Sequence, residues 1–230
     1  MYLMKSIYLL FIILSYFTFS QNQTVGVFQY EEGTDDSYTL FSPSRDTYLI
    51  NNCGNVINKW TSNYQTGGAI YYLEDGILLR TNRINNNNVF SGGGIGGGVE
   101  KLDWDGNVVW SYQYNSETYH HHHDVEPLPN GNILILAWEL KTEDEAIQKG
   151  RDPSILEEGE LWPEHIIEIE PVGENEANVV WEWHLWDHLI QDFDADLPNY
   201  GVISEHPELL NINYTGPGQN AAGGKADWIH

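Results

Sequence analysis

The 230-residue chain is short of several things that decide its class. It has one cysteine, Cys53, so no disulfide can form within it and a disulfide-stapled scaffold is excluded. It is poor in cations: 10 Lys and Arg stand against 34 Asp and Glu, a net charge of −24. No basic cluster exists to release counterions from a phosphate backbone, which sets nucleic acid aside as a partner. The apolar run Ile7–Leu14 falls short of the roughly 20 residues that a membrane span needs. Helical periodicity is almost missing. Disorder driven by charge is also excluded, because 41% hydrophobic and 13% aromatic residues can bury a core.

The first twenty residues have their own plan. Lys5 precedes the apolar run, and Thr18 and Ser20 stand at −3 and −1 of a cut before Gln21. That is the layout of a signal peptide, so residues 1–20 are expected to be removed and the protein exported, periplasmic or secreted, with no membrane span after cleavage.

What is present is a repeat. Short runs rich in Tyr, Trp, Val and Ile alternate with Asp-Gly, Asn-Gly and Gly-Asn turns. One phrase is strand, turn, strand and tryptophan. It runs Tyr48 to Trp60, returns at Glu100 to Trp110, and returns with a longer turn from Ile166 to Trp183. A tighter hairpin phrase runs from Tyr72 to Leu79 and recurs from Pro127 to Leu136. The phrases alternate, and repeats of about 40–50 residues with four short strands are the signature of β-propeller blades. The fold class is therefore all-β, with residues 21–230 expected to form a partial β-propeller of about four blades. The hairpin-ending tryptophans are expected to pack between blades. Glu143–Gly150 and Asp187–Gln191 are the two short candidate helices.

Several motifs carry chemistry or imitate it. Gly92–Gly98 contains G-x-G-x-x-G, but a strand follows it where a dinucleotide site needs a helix, so it is expected to be a loop or a strand edge at a crowded axis. Asp103–Asn107 resembles the start of a calcium loop but has Tyr114 at the twelfth position, which makes it a hairpin turn. Asp192-Phe-Asp-Ala-Asp196 offers oxygen ligands without the loop glycine. His120-His-His-His-Asp124 is the densest candidate. On an extended strand His121 and His123 would face one way, His120 and His122 the other. A zinc site there would need further ligands, and no cysteine or second clear histidine pair lies nearby, so no metal ligand is assigned. Asp187 and His188 could form a carboxylate–imidazole pair.

Three segments together resemble the bacterial arylsulfotransferases: His122-His-Asp-Val-Glu-Pro-Leu-Pro-Asn-Gly-Asn-Ile-Leu134, Asp103-Trp-Asp-Gly-Asn-Val-Val-Trp110, and Asp227-Trp-Ile-His230. The resemblance implies a six-bladed propeller whose central channel holds the active site. It implies transfer of a sulfuryl group from an aryl sulfate donor to a phenolic acceptor through a sulfohistidine, with no cofactor. Carried over by motif, catalytic histidines fall at His122, His123 and His230, and substrate-binding residues at Asp124, His188 and Trp228. The family's sulfated histidine lies beyond Asp-Trp-x-His, so the chain is expected to be the amino-terminal part of a larger propeller protein that lacks its nucleophile. The competing expectation is a non-catalytic propeller that binds glycans or calcium.

Overall fold

The computed structural model describes Gln29, residues 31–214 and residues 226–229. The expected signal segment, residues 1–20, and His230 lie outside the described residues. What is described is all-β, built chiefly from antiparallel sheets, and none of them closes on itself.

The hairpin phrases of the sequence are the hairpins of the structure. The first sheet holds β1 (Tyr38–Phe41), β2 (Asp46–Asn51) and β3 (Val56–Thr61) in that order. The second is a four-stranded meander of β4 (Thr66–Tyr72), β5 (Leu78–Arg83), β6 (Gly97–Leu102) and β7 (Val108–Gln113). The third contains β8 (Tyr119–Pro127) and β9 (Ile133–Glu139), then β12 (Glu164–Val172) and β13 (Glu176–His184), again side by side in chain order. Between β9 and β12 comes an excursion: β10 (Lys141–Thr142), the helix α1 (Glu143–Gln148) and β11 (Glu160–Leu161). Thr142 caps α1 in a reciprocal capping box with Glu145, which is why six residues can stand as a helix. The last pair, β14 (Leu189–Ile190) and β15 (Leu210–Asn211), runs parallel. The second candidate helix is not one. Leu185–Asp187 forms a single 3-10 turn, and the chain then enters β14. The run is too short to offset the cost of nucleating an α-helix.

The second sheet is covered on both faces, and its sequence shows why. Along β5 every residue from Leu78 to Asn82 is buried. Side chains alternate in a strand, so Leu78 joins Leu102 against Leu49 and Trp60 of the first sheet, and Leu79 joins Val99 against Ile133, Ile135 and Ile167 of the third. Tryptophan fastens each sheet to the next. The Trp60 indole, at the end of β3, donates to the Asp103 carbonyl at 2.8 Å, in the β6–β7 turn. The Trp110 indole, on β7, donates to the Glu176 carbonyl at 3.0 Å, at the start of β13. Both rings are buried, at 1% and 3% exposure. Trp181 departs from the expected packing. It stands in β13 opposite Glu168, as Trp110 stands in β7 opposite Lys101, yet it is 48% exposed. Among the described residues no further sheet lies against it.

Candidate functional site

The histidine run is the first half of β8, the edge strand of the third sheet. His121 pairs with Ala137 on β9, and the next paired residue is Val125 with Ile135. Three residues of β8 therefore face one of β9, a bulge that twists the strand and re-aims its side chains. His123 absorbs the irregularity with φ at 52°, the one described non-glycine residue in left-handed space. Such a conformation costs on the order of 1 kcal/mol and persists where surrounding contacts impose it.

Those contacts come from the glycine run. His122 bridges Ile95, the Gly96 amide donates to the His121 carbonyl at 3.2 Å, and the His123 amide donates to the Gly94 carbonyl at 2.7 Å. The Gly97 amide donates to His121 Nδ1 at 3.0 Å. A Cβ on Gly94 would sit 2.2 Å from the His123 ring, and one on Gly96 would sit 2.3 Å from the His121 ring. The glycines thus let one backbone lie directly on a row of imidazoles. Both expectations for Gly92–Gly98 hold in part: Gly93 and Gly94 form a turn, and the run from Gly96 to Gly98 is the crowded strand edge.

The expected alternation holds for three histidines and then breaks. His120 and His122 share an aromatic face. His120 lies beside Phe90, Phe90 stacks on Trp138, and Trp138 stacks on His122 at 4.1 Å between centroids. His121 points the other way, against Gly96. The bulge then turns His123 out to the surface, with Asp124 exposed beside it. His120 Nδ1 meets the Asn115 side-chain oxygen at 2.8 Å and the Asn87 amide at 3.2 Å. His122 Nε2 faces a carboxylate oxygen of Glu164 at 2.6 Å. Asp124 accepts from the Tyr71 hydroxyl at 3.2 Å, and burial together with the Asp124 charge pushes that phenol up to about 12.

The structure places the remaining sequence candidates elsewhere. His188 stacks on Trp183 at 5.0 Å, and the exposed Asp187 makes no hydrogen bond to it. Trp228 is buried at 2% exposure, packed with Leu161, Leu189 and Ile212 and lying under the Arg151 guanidinium. Glu164 is a residue that motif reading missed. It sits 42 positions from His122, and only the pairing of β9 with β12 brings it alongside.

Burial sets the protonation of the run. Desolvation, reinforced by the charge of His122, pushes His121 down to about 3 and His120 to about 4. Both stay neutral when folded, while in the unfolded chain they protonate near 6.5. The unfolded state therefore binds more protons below pH 6.5, and stability is lost as pH falls from there towards about 3. For His121 alone the loss between pH 7.5 and 5 is about 2 kcal/mol. Urea unfolding at pH 7.5, 6 and 5 measures it; a flat profile across that range would mean that His121 is solvated.

The matrix of strands, glycines and histidines has a relative. A family model described as Arylsulfotransferase (ASST) matches residues 31–230. The chain belongs to the arylsulfotransferase family. No curated protein matches it. Among solved structures it is similar to a protein of unknown function from Bacteroides caccae, at 14% identity and a TM-score of 0.39. That match covers 65% of this chain and 41% of the other. In this family member the motif histidines His122 and His123 lie together with Asp124 on one bulged strand, and no helix among the described residues is long and apolar enough to cross a membrane.

Proposed function

We propose that the protein is an exported, propeller-fold sulfotransferase that moves a sulfuryl group from an aryl sulfate to a phenol through a histidine. The observation that carries this reading is the His122–Glu164 pair at 2.6 Å, stacked on Trp138 beside the exposed His123. A carboxylate that fixes an imidazole lets it hold or release a proton near neutral pH. In the first half-reaction the donor's S–O bond breaks, an N–S bond forms on a histidine, and the departing phenolate takes a proton. In the second, the acceptor's oxygen attacks sulfur, the N–S bond breaks, and the acceptor's proton passes to the protein. His122 serves as the acid and base, and His123 donates to the sulfate oxygens where charge is spread in the transition state. His230 and the sulfated histidine complete the reading. By the resemblance, that nucleophile would follow the Asp227-Trp-Ile-His230 motif.

The test uses the product of the complete reading frame, with 4-nitrophenyl sulfate as donor and phenol as acceptor. Release of nitrophenol that depends on phenol, with phenyl sulfate formed in equal amount, is expected. No release at any pH between mild acid and mild base would remove the enzyme assignment.

A further inference from the structure

On the other side of the third sheet a second group of polar side chains converges, away from the aromatic face that His122 shares. His165 on β12 and His184 on β13 are cross-strand partners, with rings 5.2 Å apart and only 7° from parallel. Glu139 ends β9, the strand on the other side of β12, and its carboxylate meets His184 Nδ1 at 3.2 Å. One nitrogen or oxygen from each of the three lies within 4.8 Å of the others.

Hydrogen bonding within the group leaves a remainder. His165 is 2% exposed, and its Nε2 meets the Tyr114 hydroxyl at 2.9 Å. Its Nδ1 is buried, and the ring also lies against the backbone of Ala137, the cross-strand partner of His165. Glu139 is 9% exposed, and its Oε2 takes both His184 and the Lys141 ammonium, at 3.2 and 2.9 Å. Its Oε1 is buried with no partner. A carboxylate lone pair left unmet in a buried side chain costs stability, and a bound cation removes that cost.

We propose that Glu139, His165 and His184 form a binding site for a divalent transition-metal ion of the zinc class. Two imidazoles and one carboxylate are a ligand set that zinc accepts, with a fourth position left for water. Around an ion with ligand bonds of about 2.1 Å, tetrahedral donors stand about 3.4 Å apart. The Glu139–His184 pair is already at that spacing, and no other pair has to close by more than about 1.4 Å, a movement open to His184, whose side chain is 28% exposed. Tyr114 supplies the outer partner that a ligating histidine requires to fix its tautomer and ring orientation. The obstacle is Lys141, whose ammonium already sits on Glu139. That ammonium also lies 5.2 Å over the Trp186 ring, so it has a second partner to retain when the ion displaces it. The site does not depend on the sulfotransfer reading, because its ligands are distinct from the histidine run.

The test titrates metal-free protein with Zn²⁺ by calorimetry and with Co²⁺ by visible absorption, which reports coordination directly. One ion per chain is expected, with the Co²⁺ bands of a nitrogen–oxygen site and a raised melting temperature. His184→Ala, at the part-exposed position, is expected to fold with an unchanged far-ultraviolet spectrum and to bind at least 100-fold more weakly. Lys141→Met removes the competing cation and is expected to tighten binding about tenfold. Absence of stoichiometric binding to the wild-type chain, or unchanged binding in His184→Ala, would overturn the proposal.

Discussion

Replacing Glu100 by Gln is expected to destabilise the protein by about 3–5 kcal/mol. Glu100 and Arg80 face each other across β6 and β5, at 2.9 Å, with side chains 3% and 1% exposed. The guanidinium also reaches the carbonyls of Ser44 and Tyr64, at 3.3 Å each, in the turns that flank the first sheet. One buried cation therefore ties two strands of the second sheet to the loops of the first. Neutralising the carboxylate leaves that cation in a dry interface, with carbonyls as its only partners. The penalty is that of an uncompensated buried charge rather than of a lost surface bridge. For a chain of this length the melting temperature should fall by on the order of 10 °C. The double replacement Arg80→Met with Glu100→Leu removes both charges and is expected to cost much less, about 1 kcal/mol for each carbonyl left without its donor. Thermal and urea unfolding of the single and double variants decide between these values. A Glu100→Gln protein as stable as the parent would mean that water reaches the pair.

This buried pair also shows what a linear reading can and cannot recover. Runs rich in Tyr, Trp, Val and Ile and the turn residues between them made the hairpins legible, because both are local: Asp103, Gly106 and Asn107 close their own turn. The inter-sheet role of Trp60 and Trp110 followed from their recurrence at the ends of hairpins. The exposure of Trp181 did not, since it depends on what lies against the sheet rather than on the phrase itself. The candidate site was legible as residue types, namely the histidines of β8 and the aspartate that follows. Its partners were not. Glu164, Asn87, and the Glu139–His165–His184 group are brought together by the fold across 19 to 45 positions, and no short spacing records that. His165 and His184, which no short spacing joins, are neighbours only through the β12–β13 register. Trp228, read by resemblance as a substrate contact, sits in a buried cluster with Arg151, an arrangement that only the path of the chain after β13 creates.

Gly96→Ala should lower stability by about 3 kcal/mol, at the upper end of the cost of overpacking, while Gly93→Ala, three residues earlier in the same run, should leave it within about 0.5 kcal/mol. Neither glycine has a positive φ, so backbone strain does not enter and only space decides. At Gly93 an added methyl meets nothing within 4 Å. At Gly96 it would lie 2.3 Å from His121 Nδ1. That ring cannot swing aside cheaply. It is fully buried, and its Nδ1 accepts from the Gly97 amide. Relief then requires the glycine strand to lift off β8, which would also break the Gly96 amide's bond to the His121 carbonyl and the bridge from Ile95 to His122. His122 would lose the backbone contact that holds it against Glu164 and Trp138. Under the proposed sulfotransfer reading, donor-phenol release should therefore fall in the Gly96→Ala protein even at a temperature where it remains folded, and remain unchanged in Gly93→Ala. Unfolding free energies of the two variants, with donor-phenol release measured well below both melting temperatures, separate the outcomes. Equal stability of the two would mean that the glycine run is a free loop rather than the strand edge that seats the histidines.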